Sequence, residues 1–423
     1  MVIIVKSKDK KIKMNKKKIK FYPVDNGDTT LIILNAKTTI LIDCKIRDGE
    51  KNNDGAEIFD VKEDLLDNIQ YRDKIPYVDT FILTHPDEDH CLGFKKHFYI
   101  GSPEDYCDKN RDNKEIIIDD LWVTSMLFDG AINDDAKALK KEAERRRKLW
   151  DENSREKNKA GNRIRMIGYN GDDRYENLPN SIPGDIISTI NGKAFVDFEF
   201  FVHAPFKKSL ITASANKDKN FSSIAMQAVF KHKPSDNYWS ASYLFGGDAD
   251  HNIWEEILKK TKEHKNEDRL VWELFMTPHH CSWTYFNDVP YSEHEEHKVP
   301  KKTSLEILDY RVENAKIIAS CKVIKNNDDN PPHFQAKKQY LKKVSDQNFL
   351  NSAVEPKESK PEPIIFEVTA SGFERIDIGE KASKLRQVAN GIKAGTIGTT
   401  RSGGLSSVEG EFVQHKPHRF YGE

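Results

Sequence analysis

The sequence predicts an α/β protein, and three observations carry that expectation. The run Thr80-Phe-Ile-Leu83 is apolar throughout, as a strand buried in a parallel sheet would be, and it leads directly into His85, Asp87, Asp89 and His90. Residues Ile19–Cys44 read as strand, turn at Asn26-Gly27, strand, turn at Asn35–Lys37, strand. Further strand-like runs recur at Ile116–Thr124, Ala194–Pro205, Tyr243–Phe245, Leu270–Thr277 and Ala315–Cys321, with helical patterns between several of them.

Composition sets the bounds. Of the 423 residues 37% are hydrophobic and 32% charged, and the mean hydropathy is -0.71. That is a globular composition, with room for roughly two to three average domains or one large domain with insertions. No apolar run approaches a membrane span. Val2–Val5 is too short for a signal-peptide core, and its lysines follow rather than precede it. Five scattered cysteines without a CxxC pair fit a reducing compartment, so a cytoplasmic protein is expected. The net charge of -1 conceals two basic stretches, Lys6–Lys20 and Lys137–Arg165.

The elements follow in order. Met1–Lys20 is a short β-prone run and then a lysine-rich arm, either a lysine-guarded edge or a phosphate-attracting patch. A short helix is expected at Val61–Ile69 and another after Gly93, with a loop over Gly101–Glu115. Residues 125–190 read as a basic helical insertion. Asn133 is its N-cap, Asp134 and Asp135 its acidic first turn, and Ala136, Leu139, Ala143 and Trp150 its apolar stripe to about Glu156. The opposite face carries Lys140, Lys141, Arg145, Arg146, Arg147 and Lys148, followed by Arg163 and Arg165. Such a face is either merely solvated or a nucleic-acid contact, and no aromatic interleaving marks a sequence reader. Asn170–Gly184 is loop. Residues 1–352 make the main domain, 353–390 a linker with a closing hairpin near 364–378, and 391–423 a Gly/Ser/Thr-rich tail whose His415 and His418 read as surface residues.

The chemistry concentrates at the end of the organising strand. Two imidazoles and two carboxylates within six positions suit a divalent cation with nitrogen and oxygen ligands, zinc or manganese. Asp248, at the glycine-flanked tip of another strand-like run, is a further carboxylate able to bridge two cations.

His85-Pro-Asp87-Glu-Asp89-His90 resembles the His-x-His-x-Asp-His signature of the metallo-β-lactamase superfamily, with Asp87 for the second His. That variant is similar to the ComEC competence-protein branch and its stand-alone soluble relatives. Other motifs occur in the branch's order: Asn26-Gly27-Asp28, Ile42-Asp43, Asn220-Phe-Ser-Ser223, Gly247-Asp248-Ala249, Pro278-His279-His280-Cys281-Ser282 and Asn330-Pro-Pro-His333. Asp25, Lys45 and Cys281 stand where the branch usually has glycine.

The resemblance implies an αββα four-layer sandwich with a basic helical insertion and a C-terminal extension, and two divalent metal ions (Zn or Mn). His85, Asp87 and His203 would hold one ion and Asp89, His90 and His279 the other, with Asp248 bridging. Asp28 and Asp43 would orient ligands from behind. Asp89, His280 and His333 would serve catalysis, with Asn220, Ser223, Ser282, Arg145, Arg146 and Arg147 at the substrate. The implied activity is that of a metal-dependent phosphodiesterase, a nuclease cleaving DNA through metal-activated hydroxide. Nucleic acid would be the substrate, and a partner protein of a bacterial defence system is also implied, with no membrane role. The alternatives are a metallohydrolase of small esters, lactones or thioesters, and a non-catalytic binding subunit.

Overall fold

The computed structural model describes residues 16–376 except 36, 37, 170 and 293. The lysine-rich arm before residue 16, the tail and its His415 and His418 lie outside the described residues. Two mixed sheets dominate an α/β structure. The first runs Gly372–Arg375, Ile364–Thr369, Lys18–Phe21, Thr30–Ile33, Thr39–Ile42, Ile75–Ile82, Ile117–Val123, Arg163–Ile167 and Asn180–Ser181. Its pairing is antiparallel as far as Thr39–Ile42 and parallel from there on. The second runs Phe349–Asn351, Arg311–Ala319, Trp272–Met276, Ala241–Phe245, Ala225–Phe230, Phe198–Ala204 and Ile186–Ile187. There the first four strands are parallel and the rest antiparallel.

Alternation along the strands sorts side chains into separate cores. Leu31 and Ile33 face one core with Val61 and Leu65 of the helix Val61–Asn68 and Ala136, Leu139 and Ala143 of the helix Asp134–Asp151. Ile32 and Leu34 face the opposite way, into a core built by strands of both sheets, where Phe21 meets Tyr243 and Trp122 meets Phe200. The far face of the second sheet packs Leu244, Phe275 and Ile317 against Trp254 of the helix His251–His264 and Tyr340 of the helix Phe334–Tyr340. Among the described residues the expected strands form, within a few residues of their anticipated ends. Among the described residues no helix is long and apolar enough to cross a membrane.

The segment 125–190 requires correction. The N-cap is as expected, with Asn133 accepting from the Ala136 amide at 2.7 Å. The helix, however, connects two adjacent parallel strands, Ile117–Val123 and Arg163–Ile167, so it is a crossover within the first sheet rather than an insertion. The arginines of its basic face are also committed to partners within the protein. Arg146 is buried, bonded to Glu142 and to the carbonyls of Ile118 and Arg163, all at 2.7–2.8 Å. Arg145 grips Glu142, Asn162 and the Gly161 carbonyl, and Arg147 pairs with Asp151 at 2.8 Å. Arg145 and Arg146 tie the helix to the sheet and to the chain at Gly161–Asn162, and Arg147 is paired within the helix; they are not a ready substrate surface. The described end of the lysine arm is likewise paired: Lys17 with Asp197, Lys20 with Asp64 and Lys16 with Glu367.

Glu142 is therefore the keystone of this crossover. Glu142→Gln leaves two guanidinium groups without their carboxylate, one of them buried, and should cost about 3–5 kcal/mol in urea denaturation. A loss near zero would mean that the arginines are not held as described.

Candidate metal centre

The parallel halves of the two sheets bring their C-terminal strand ends together, the place where α/β sheets present ligand-binding groups. Asp43 follows Thr39–Ile42, and Thr84 and His85 follow Ile75–Ile82. The turn Glu88–Cys91 adds Asp89 and His90. From the second sheet, Asp248 follows Ala241–Phe245, His279 and His280 follow Trp272–Met276, and Ser320 follows Arg311–Ala319. Close approach requires glycine at two points. At Gly247 (φ +49°) a Cβ would fall 2.8 Å from Thr84 Oγ1, and at Gly27 (φ +141°) it would fall 2.6 Å from the Asp89 carbonyl.

All four histidines of the cluster turn Nε2 inward, because an acceptor holds each Nδ1–H. His90 donates to Asp43 Oδ2 at 2.8 Å. His85 lies 3.1 Å from Thr84 Oγ1, whose own hydroxyl donates to Asp43 at 2.7 Å. His279 faces Thr284 Oγ1 at 3.3 Å and His280 the Ser320 carbonyl at 3.1 Å. The Gly27 amide, 3.1 Å from His280 Nδ1, competes as a donor, but Ser320 together with Asp28 Oδ1 at 3.6 Å favours a proton on that nitrogen.

Asp248 lies between two sets of inward atoms. Its Oδ2 is 3.5 Å from both His85 Nε2 and His279 Nε2, and Asp87 Oδ2 is 3.4 Å from the same His85 nitrogen. Its Oδ1 is 3.1 Å from His90 Nε2 and 3.4 Å from His280 Nε2, with Asp89 Oδ2 3.2 Å from His280 Nε2. The two facing nitrogens, His90 Nε2 and His280 Nε2, are 3.2 Å apart. His85 Nε2, Asp248 Oδ1 and Asp28 Oδ1 are buried and have no hydrogen-bond partner. Buried polar atoms are rarely left so, and a cation would satisfy them. The groups His85–His90–Asp248 and Asp28–His90–His280 are each compact enough to hold a metal ion.

The loop that presents the histidine pair is strained. His279, His280 and Cys281 all have positive φ, 49°, 53° and 67°, at roughly 1–3 kcal/mol each. The surroundings fix it: the His279 amide bonds the Gly247 carbonyl at 3.0 Å, the His333 amide bonds Cys281 at 2.9 Å, and Asn330 Oδ1 accepts from Ser282 Oγ and the Trp283 amide. The left-handed run lets two consecutive imidazoles reach one centre. It also accounts for Cys281 standing in a glycine-type conformation.

Several expected assignments change. His203 is not in the cluster: it occupies an irregularity in the pairing of Phe198–Ala204, and its Nε2 meets the Arg269 carbonyl at 2.8 Å. Burial lowers its pKa to about 4, so it is a neutral structural imidazole. His280, expected to face substrate, takes the place expected of His279 beside Asp89 and His90, while His279 lies on the His85 side, where His203 was expected. His333 packs its ring at a tilt against Trp283 and Tyr291, and its amide holds the Cys281 carbonyl, rather than joining the cluster. Ser223 Oγ accepts from the Asp248 amide, and Ser282 is fully buried, so both support the site from behind. Asn220 opens the short turn Asn220–Ser222 beside them. Sequence reasoning missed Thr84, Ser320 and Lys219, the last ion-paired with Asp87 and carrying no signal beyond being one lysine among many.

Burial opposes charge on His85 and His280, but Asp248, helped by Asp87 at the first and by Asp28 and Asp89 at the second, overcomes it. The two imidazoles rise from 6.5 to about 9 and about 10. Burial would raise Asp87, yet His85 and Lys219 hold it at about 2. A raised imidazole stabilises the fold fully below its ordinary 6.5 and loses that contribution as pH rises through about 9 to 10. The urea midpoint of metal-free protein should therefore fall across that window, while affinity for manganese rises as the same protons leave. A flat profile would contradict the cluster. Asp43→Asn should weaken manganese binding about 10–100-fold in a chelator competition, whereas His203→Gln should leave it unchanged. No family model matches the chain and no curated protein matches it.

Proposed function

We propose that the chain is a metal-dependent hydrolase of phosphodiesters, a nuclease with DNA as its foremost substrate, built on an αββα sandwich of the metallo-β-lactamase type. The succession of helices, sheet, sheet and helices around three cores supports that fold reading. The observation that carries the function is Asp248, whose two oxygens each face a separate set of imidazole and carboxylate atoms. His85, Asp87 and His279 would hold one divalent cation, Asp89, His90 and His280 the other, and Asp248 would touch both. Carboxylate-rich ligation suits manganese as well as zinc.

Bound cations would supply acidity to a water and neutralise charge on phosphoryl oxygens. The chain's own residues prepare for this. Asp43 fixes His90 directly and His85 through Thr84, so two ligands from one strand end share one anchor. The Ser320 carbonyl, from the other sheet, sets His280. His85, His90, Asp248 and His280 are sealed from solvent, while Asp87 and Asp89 are about a third exposed at 31% and 35%. Substrate would approach on that carboxylate side.

The test is metal-reconstituted protein with plasmid, single-stranded DNA and RNA, beside an Asp89→Ala/His90→Ala control. Manganese- or zinc-dependent cleavage lost in the control is expected. Cleavage that survives the double substitution would contradict the proposal. So would the absence of cleavage of any nucleic acid, which would turn attention to small esters.

A further inference from the structure

The two carboxylates on the open side each have a lysine at their back. Lys219 Nζ is ion-paired with Asp87 Oδ1, leaving Oδ2 toward His85. Its backbone is fixed there, for the Lys219 carbonyl accepts from Ser222 Oγ at 2.6 Å and the Ile224 amide bonds the Thr84 carbonyl at 3.1 Å. Lys45 is held on the other flank. Its Nζ bonds the Asn26 carbonyl, and its stem packs on Gly27 beside Asp89 Cβ. Attraction to Asp89, Asp25 and Asp28 partly offsets the cost of its burial. Neither lysine is needed to complete a ligand set, and the residue at position 45 is one the resemblance would make glycine.

Their charge alters what the site attracts. Asp28, Asp43, Asp87, Asp89 and Asp248 would outweigh two divalent cations by one negative charge. The two ammonium groups reverse that sign, and they lie beside Asp87 and Asp89, the carboxylates that are about a third exposed. A positive, partly desolvated recess concentrates anions and discriminates weakly among neutral molecules. An ammonium has three donors, and Lys219 has one on Asp87, which leaves donors for an incoming oxygen.

We propose that Lys219 and Lys45 make the centre selective for anionic esters, Lys219 donating to a non-bridging phosphoryl oxygen and Lys45 supplying fixed positive charge behind Asp89. This rests on the two-cation reading above and extends it to substrate class. A neutral lactone or thioester would gain nothing from either residue.

The test is calorimetric titration of inorganic phosphate into manganese-loaded full-length protein, with bound manganese counted in the same samples. Wild type should take up manganese and then phosphate. Lys219→Met should retain manganese and bind phosphate about tenfold or more weakly, with Lys219→Arg recovering most of the loss. Lys45→Met, changed on the opposite flank, should also weaken phosphate. Unchanged phosphate affinity in both methionine variants would overturn this inference and leave the metal reading standing. Loss of manganese in Lys219→Met would overturn it too, because Lys219 would then act only by holding Asp87. Failure of wild type to bind manganese at all would bring down the two-cation reading and the inference with it.

Discussion

A carboxylate buried among imidazoles from separate loops is the constraint on which the rest of the structure turns. Asp248, at the end of a second-sheet strand, must meet His85 and His90 from the first sheet and the His279-His280 pair from its own. Isolated, such a charge would be strongly disfavoured in the interior. Surrounded by imidazoles it is held well below the ordinary carboxylate range despite its burial. The same contacts join the parallel halves of both sheets at one edge. The apolar core between the sheets and the polar cluster at its rim are two parts of one interface.

Acceptors behind the cluster convert proximity into direction. Asp43, Thr84, Thr284 and the Ser320 carbonyl take the Nδ1 protons, so the four Nε2 atoms point at one another and at Asp248. That arrangement is unfavourable for neutral rings, whose lone pairs would face at close range. Protons relieve it, and a bound cation would do the same. The strained left-handed run at His279–Cys281 belongs to the same design, since a helical or extended backbone would point consecutive imidazoles apart.

Much of this was legible in the sequence, and the reasons are local. An apolar strand ending in His-x-Asp-x-Asp-His fixes both the element and the direction in which its polar side chains emerge. The Asn133 cap and the Gly247-Asp248 tip are equally short-range. What escaped depends on distant chain. The arginines 145–147 read as a solvated or nucleic-acid face, since periodicity places Glu142 on the same helix but cannot show the Ile118 and Arg163 carbonyls that receive Arg146. His203 sits at a strand end like a ligand, yet an irregular pairing turns its ring to Arg269. Which of two adjacent histidines faces which carboxylate is decided by backbone angles that composition does not encode. Lys219 needed the folded chain to meet Asp87 at all.

The proposed two-cation centre requires cations on both sides of Asp248, and anomalous diffraction from crystals grown with manganese tests that most directly. The account predicts two peaks flanking the Asp248 carboxylate, the first ligated by His85, Asp87 and His279, the second by Asp89, His90 and His280. A single peak ligated by His203, or manganese bound only away from Asp248, would contradict it.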